Sequence, residues 1–247
     1  AADDFLRRIS NIAAELGIAQ VYGYHDIVHN KTVSQSHEEN GVVFVDRINE
    51  VPSGSIVVGS AHGSSPVVPW TVESDGGLFF DGACPLVIHT HKAVEQARRK
   101  DEKVIYLLQG NPNVIADHIV HDEVRGTIGH MDYHIQDGQL KSEPIRRAYV
   151  ELGDNIGEIL PSILDEKERY RIVGQTTLLA TGTLQYREML ASYIKRVQPD
   201  ASVERVERRD VCFAVEDRQQ GVRVLLAKKP DNLVVVTDPK SKNGKGY

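Results

Sequence analysis

Cysteine is scarce in this chain: 247 residues contain two, Cys84 and Cys212. Two thiols cannot build a disulfide framework, which points to a reduced, cytoplasmic setting. Basic residues are outnumbered, 29 Lys and Arg against 35 Asp and Glu, for a net charge of −6. That balance does not support a broad basic face, so no nucleic-acid partner is expected. No apolar run approaches the roughly 20 residues that span a bilayer, so no membrane partner is expected either. The opening Ala1-Ala2-Asp3-Asp4 is acidic where a signal peptide carries its basic region. No internal repeat or low-complexity segment is plain. What remains is an ordinary soluble composition, 40% hydrophobic and 26% charged. The length suits one large domain or two to three small lobes.

Helical periods alternate with short β-rich runs. Phe5, Ile9, Ile12 and Leu16 have helical spacing, and Gly17 ends the pattern. Strands are predicted at Val42–Val45, Ser55–Val58, Val104–Leu108, Tyr170–Val173 and Leu233–Val236. Helices are predicted at His91–Lys100, Thr183–Val197 and Asp217–Leu226. Strands alternating with helices imply α/β lobes with parallel sheets covered on both faces.

The strand ends carry polar, glycine-containing loops: Gly59-Ser60-Ala61-His62-Gly63-Ser64-Ser65, Gly174-Gln175-Thr176-Thr177, and Thr237-Asp238-Pro239-Lys240-Ser241-Lys242-Asn243. Ligands of open α/β sheets bind beyond the carboxyl ends of the strands, and N–H groups in such turns suit phosphate. Taken singly, each cluster is as well explained by turns and caps.

Ten histidines is a high count. His25 and His29 are four apart, on one face if helical. His62 follows a strand, His89 and His91 follow Cys84, and His118, His121 and Glu123 fall together. Cys84 and Cys212 each follow a charged or glycine-containing turn and precede an apolar stretch, which places a thiol at the end of a buried element. Thiolates are the soft ligands that zinc and iron–sulfur clusters prefer; a small buried hydrophobe is the plainer reading.

Seven stretches then fall in the order of one known family: His25-Asp26-Ile27-Val28-His29-Asn30, Glu50-Val51-Pro52-Ser53-Gly54, Ser60-Ala61-His62-Gly63, Cys84-Pro85-Leu86-Val87, His121–Gly129, Gln175-Thr176-Thr177-Leu178 and Asp210-Val211-Cys212-Phe213-Ala214. In these the chain resembles the LytB-type 4-hydroxy-3-methylbut-2-enyl diphosphate reductases, iron–sulfur enzymes of isoprenoid precursor synthesis. The resemblance implies three similar α/β lobes around a 4Fe–4S cluster held by three cysteines. Cys84 and Cys212 match the second and third. It implies that His29, His62 and His121, with Ser241 and Asn243, hold the substrate diphosphate. Glu123 then supplies the proton to the departing hydroxyl and Thr176 assists it. Electrons would come from a carrier such as ferredoxin or flavodoxin.

The chain departs from the family pattern in four places. The strand with the first cluster cysteine should precede the first helix, yet the chain opens inside that helix. It stops at Tyr247, where the family continues for most of another lobe. Asn111–Val120 reads as an insertion, and a rival alignment sets Asn111-Pro112-Asn113 over the family's His-Pro-Glu; matches at Val124, Gly126, Thr127 and Gly129 favour His121 and Glu123. Lys240 and Lys242 crowd Ser241 and Asn243. The expected lobes are residues 1–84, 85–209 and 210–247, the third incomplete, and the expectation is a piece of a larger protein that does not hold the cluster with two thiolates alone. The alternatives are a diverged member that binds a phosphorylated ligand without this activity, and a zinc-binding α/β protein.

Overall fold

The structure is a computed structural model that describes residues 2–27, 30–108, 127–128, 131–144, 146–176, 178, 180–205, 211–234 and 236. It divides into two compact units, one formed by residues 1–92 and 113–145, the other by 93–112 and 146–247.

In the first unit, α1 (Ala2–Glu15) precedes β1 (Val21–Tyr24). Gly17, at φ +73°, turns the chain between them, and Ile18 N–H closes the helix end on the Ala13 carbonyl. α2 (Lys31–Glu38), β2 (Val42–Val45), β3 (Ile56–Gly59), α3 (Val67–Ser74), β4 (Leu78–Phe80) and the start of α4 (Pro85–Arg99) follow. All four strands are parallel, in the order β2-β1-β3-β4. β3 is buried along its whole length, the continuous apolar pattern of a strand covered on both faces. Leu6, Ala13, Val21, Ile27, Val42, Ile56 and Val58 form the core.

After β5 (Lys103–Leu108) come β6 (Thr127–Ile128), β7 (Met131–Gln136) and β8 (Gln139–Pro144), an antiparallel sheet that belongs to the first unit. Its hairpin turns on Asp137-Gly138, with φ +54° and +71°, the backbone of a two-residue turn with both central residues left-handed. The second unit continues with β9 (Arg147–Glu151), α5 (Ile156–Ile163), β10 (Arg169–Gly174), α6 (Ala180–Val197), β11 (Ser202–Arg205) and α7 (Phe213–Ala227). Its parallel sheet runs β9-β5-β10-β11. Numbered by appearance within each unit, both sheets have the order 2-1-3-4. The two units are therefore one topology used twice, a repeat that the residue pattern did not reveal.

The strand expected at Leu233–Val236 is not formed by its described residues. Leu233, Val234 and Val236 lie outside any strand, and Val234 and Val236 are 83% and 94% exposed. A strand exists through its ladder, and no described strand edge pairs with this segment. What the third lobe contributes among the described residues is α7 and the short stretch after it.

Candidate functional site

In a sheet of order 2-1-3-4 the direction of winding reverses between the first and third strands, and the crevice beyond their carboxyl ends is where ligands bind. In the first unit that point lies between β1 and β3. The segment Ser60–Gly63 leaves β3 as a tight turn, with Gly63 N–H donating to the Ser60 carbonyl at 3.2 Å and His62 N–H donating to Ser60 Oγ at 3.3 Å. Ala61 sits at the centre of a tie between three neighbouring loops. Its N–H donates to the Ile27 carbonyl beyond β1, and its carbonyl accepts from Cys84 N–H beyond β4, at 2.9 Å. Gly82 makes this approach possible: a Cβ there would lie 2.2 Å from the Gly59 carbonyl oxygen. Asp81 Oδ1 accepts from Ala83 N–H, and α4 then starts with proline at its first position and Ile88 N–H on the Cys84 carbonyl.

The second unit builds the same device. β10 also ends in glycine, Gly174, and Gln175 N–H donates to the Leu107 carbonyl at the end of β5. Two residues past the glycine, the Thr176 carbonyl accepts from Cys212 N–H at 2.7 Å, just as Ala61 does from Cys84. Cys212 is the N-cap of α7. Thr181 N–H and its hydroxyl both donate to the Glu216 carboxylate, which pins the first turn of α7 to the start of α6. Each unit thus presents one half-buried, free thiol at the carboxyl end of its sheet and at the start of a helix. Helix N-termini favour negative charge, so thiolates or an anionic group find compensation there.

Of the residues singled out from sequence, His62 and Cys84 fall together in the first unit, on adjoining loops. Thr176 and Cys212 are joined by a hydrogen bond in the second. His29, His121, Glu123, Ser241 and Asn243 lie outside the described residues. His25 is not helical: it adopts φ +59° in a bend, and α2 begins only at Lys31, where Asn30 Oδ1 accepts from Thr32 and Val33 N–H. Asparagine as N-cap explains why the helix starts there. Sequence reasoning noted the glycine-containing turn before Cys84 without the close approach that Gly82 permits, and considered His91 only as one of the histidines near that cysteine. The signal for His91 was its spacing, seven residues after Cys84 and so in line with it by helical spacing.

The donors fit an iron–sulfur cluster in kind, since such clusters are held by cysteine thiolates. Among the described residues no group of three or more His, Cys, Asp and Glu side chains could hold a metal ion.

Relatives bear on the same arrangement. A family model described as LytB protein matches residues 6–246. The chain belongs to the LytB family. The proteins named 4-hydroxy-3-methylbut-2-enyl diphosphate reductase from Mannheimia succiniciproducens and Actinobacillus succinogenes are each 33% identical to the LytB chain over 235 residues, 95% of its length and 66% of theirs. The LytB chain thus spans just under two thirds of these curated relatives. Among solved structures it is similar to the E-1-hydroxy-2-methyl-but-2-enyl-4-diphosphate reductase of Plasmodium falciparum, at 24% identity with a TM-score of 0.69, over 99% of its own length and 67% of that chain. A second solved structure, titled (E)-4-hydroxy-3-methyl-but-2-enyl diphosphate reductase, the terminal enzyme of the non-mevalonate pathway, has 20% identity and a TM-score of 0.62, covering 99% and 75%. The parallel-sheet α/β fold is common to all three.

Proposed function

We propose that this chain acts as an iron–sulfur reductase that removes the hydroxyl of 4-hydroxy-3-methylbut-2-enyl diphosphate, giving isopentenyl and dimethylallyl diphosphate. One observation carries the reading: in a chain whose relatives bear that reductase name, the two cysteines stand at equivalent places in two equivalent units, each tied by its N–H to the loop after the third strand. Packing alone gives no reason for the same residue to recur there.

In this reading Cys84 and Cys212 are two of the cluster's thiolate ligands. When bound, the cluster supplies electrons and an iron able to act as a Lewis acid. The chain's own residues do the rest. The imidazoles of His29, His62 and His121, with Ser241 and Asn243, donate hydrogen bonds to the diphosphate oxygens, and they do so without the bulk of arginine. The Glu123 carboxyl gives its proton to the departing hydroxyl, which leaves as water, and the Thr176 hydroxyl orients that carboxyl. The reaction consumes two electrons and two protons for each hydroxyl lost. A small carrier such as a ferredoxin or flavodoxin delivers the electrons, and the reducing cytoplasm keeps the thiols free.

Anaerobic purification of the full-length protein with iron and acid-labile sulfide analysis tests the reading. About four of each per protein molecule are expected, with loss of iron in Cys84→Ser and in Cys212→Ser. Glu123→Gln should keep the iron and the substrate affinity while losing turnover. A protein without iron that still binds pyrophosphate would instead be a binding member of the family.

A further inference from the structure

Val87 and His91 lie three and seven residues after Cys84, so the two share one face of α4, in line with the cysteine that immediately precedes the helix. That face meets the Ser60–Gly63 turn level by level. Cys84 N–H holds the Ala61 carbonyl at 2.9 Å. A Cβ on Gly63 would lie 3.1 Å from Val87 Cγ1, 2.5 Å from His91 Cε1 and 2.8 Å from His91 Nε2. The imidazole of His91, 5% exposed, therefore rests against the backbone of the residue that directly follows His62. Gly63 has φ +89°, so the turn needs glycine both for its dihedral and for its contact with this ring. Nothing in the proposed chemistry uses His91, yet a buried ring is set against the turn that carries His62, one of the proposed diphosphate ligands.

We propose that His91 is a positioning residue: its ring and Val87 form the wall that fixes Gly63, and so fixes the direction in which His62 leaves the turn. The proposal rests on the reading of His62 as a diphosphate ligand given above. Helix α4 then serves the site twice, through the thiol of the residue just before it and through the set of the histidine two turns later. A turn held in its binding conformation loses less freedom when the anion arrives, and this raises affinity without a new contact.

The test uses the full chain with His91→Ala, His91→Phe, Gly63→Ala and His62→Ala. Backbone amide resonances of residues 60–63 report the turn, calorimetry with inorganic pyrophosphate reports the anion site, and thermal midpoints report the fold. His91→Ala should remain folded, broaden or double the four amides, and weaken pyrophosphate about tenfold. His91→Phe keeps a ring against Gly63 and should restore both sharp amides and most of the affinity. Unchanged amides and affinity in folded His91→Ala would overturn the proposal, as would equal losses in His91→Ala and His91→Phe. Gly63→Ala pushes turn and ring apart from the other side; if His91→Ala does not fold, unchanged amides and affinity in Gly63→Ala overturn it. If His62→Ala binds pyrophosphate like the parent, the diphosphate reading fails, while the amide signals still decide what His91 does to the turn.

Discussion

Replacing Gly82 by alanine sets two physical effects against each other. The φ of Gly82 lies outside the left-handed region, so an alanine fits the backbone dihedral. By chain entropy alone it would stabilise the protein by about 0.4–1 kcal/mol. The added Cβ would, however, lie 2.2 Å from the Gly59 carbonyl oxygen. An ordinary carbon–oxygen contact is about 3.3 Å, so the loop and the end of β3 must separate by about 1 Å. The obstructing atom is backbone in the most buried strand of its sheet and cannot rotate away. Overpacking of this kind costs about 1–3 kcal/mol, leaving a net loss of roughly 0–2.6 kcal/mol, about 1.3 at the centre. For a chain of this size the central value lowers the thermal midpoint by roughly 3–5 °C. Gly182, in α6 with nothing within 4 Å of its Cβ position, supplies the control. There alanine should raise the midpoint, by the roughly 0.5–1 kcal/mol that separates the two residues in helices. The displaced loop carries Cys84 two residues on, so iodoacetamide should alkylate Cys84 faster in Gly82→Ala than in the parent. A Gly82→Ala protein that melts no lower and alkylates no faster would refute the account of how the cysteine loop is seated.

Two further predictions concern the second unit. Arg171 Nε donates to Glu102 Oε2 at 2.7 Å, and the side chains are only 8% and 3% exposed; Glu102→Ala should cost about 3–5 kcal/mol by leaving a buried charge alone, whereas Glu102→Leu with Arg171→Met should recover most of it. An unchanged melting midpoint for Glu102→Ala would count against the pair. Tyr186 donates to the Asp154 carbonyl at 2.9 Å, and burial pushes its phenol up from 10.0 to about 12. Its protonated form is favoured in the folded state, so this contribution is complete below pH 10.0 and is lost as pH rises towards about 12. Tyr186→Phe, with no proton to lose, should flatten that limb of a stability-against-pH curve; an unchanged limb would assign the alkaline loss to other groups.

The residue pattern located the elements whose signal is local. α1 and β2 fall where periodicity and β-branched runs put them, because a helix stripe and an apolar strand are written in neighbouring residues. α4 begins six residues before the expected start, at Pro85, whose place at a helix start was a legible signal that the reading of Cys84 as a turn residue obscured. The hairpin at Asp137-Gly138 carried a strong two-residue turn signal, but its mixed polar strands lack the apolar alternation that draws attention to a sheet. β1 escaped notice because Gly23 interrupts a four-residue run. The structure shows why the glycine is there, since a Cβ would meet the Phe44 ring at 2.4 Å. Leu233–Val236 misled in the other direction: apolar content proposes a strand, and only a neighbour can make one.

By itself the sequence determined that the chain is built of α/β units, that its two thiols sit at turns before apolar stretches, and that its ordered motifs belong to the LytB family. Those are properties of short segments and of their order. The tertiary structure alone decided that both sheets wind as 2-1-3-4, that Cys84 and Cys212 occupy the same place in them, and that Gly82, Gly63 and His91 lie in close contact where the loops bearing Ala61, His62 and Cys84 meet. Strand order, the tie from a cysteine N–H to a carbonyl more than twenty residues away, and the contact of a ring with a glycine backbone join parts of the chain that are distant in sequence. No local pattern encodes such partners, because they are selected by what the folded sheet brings within reach.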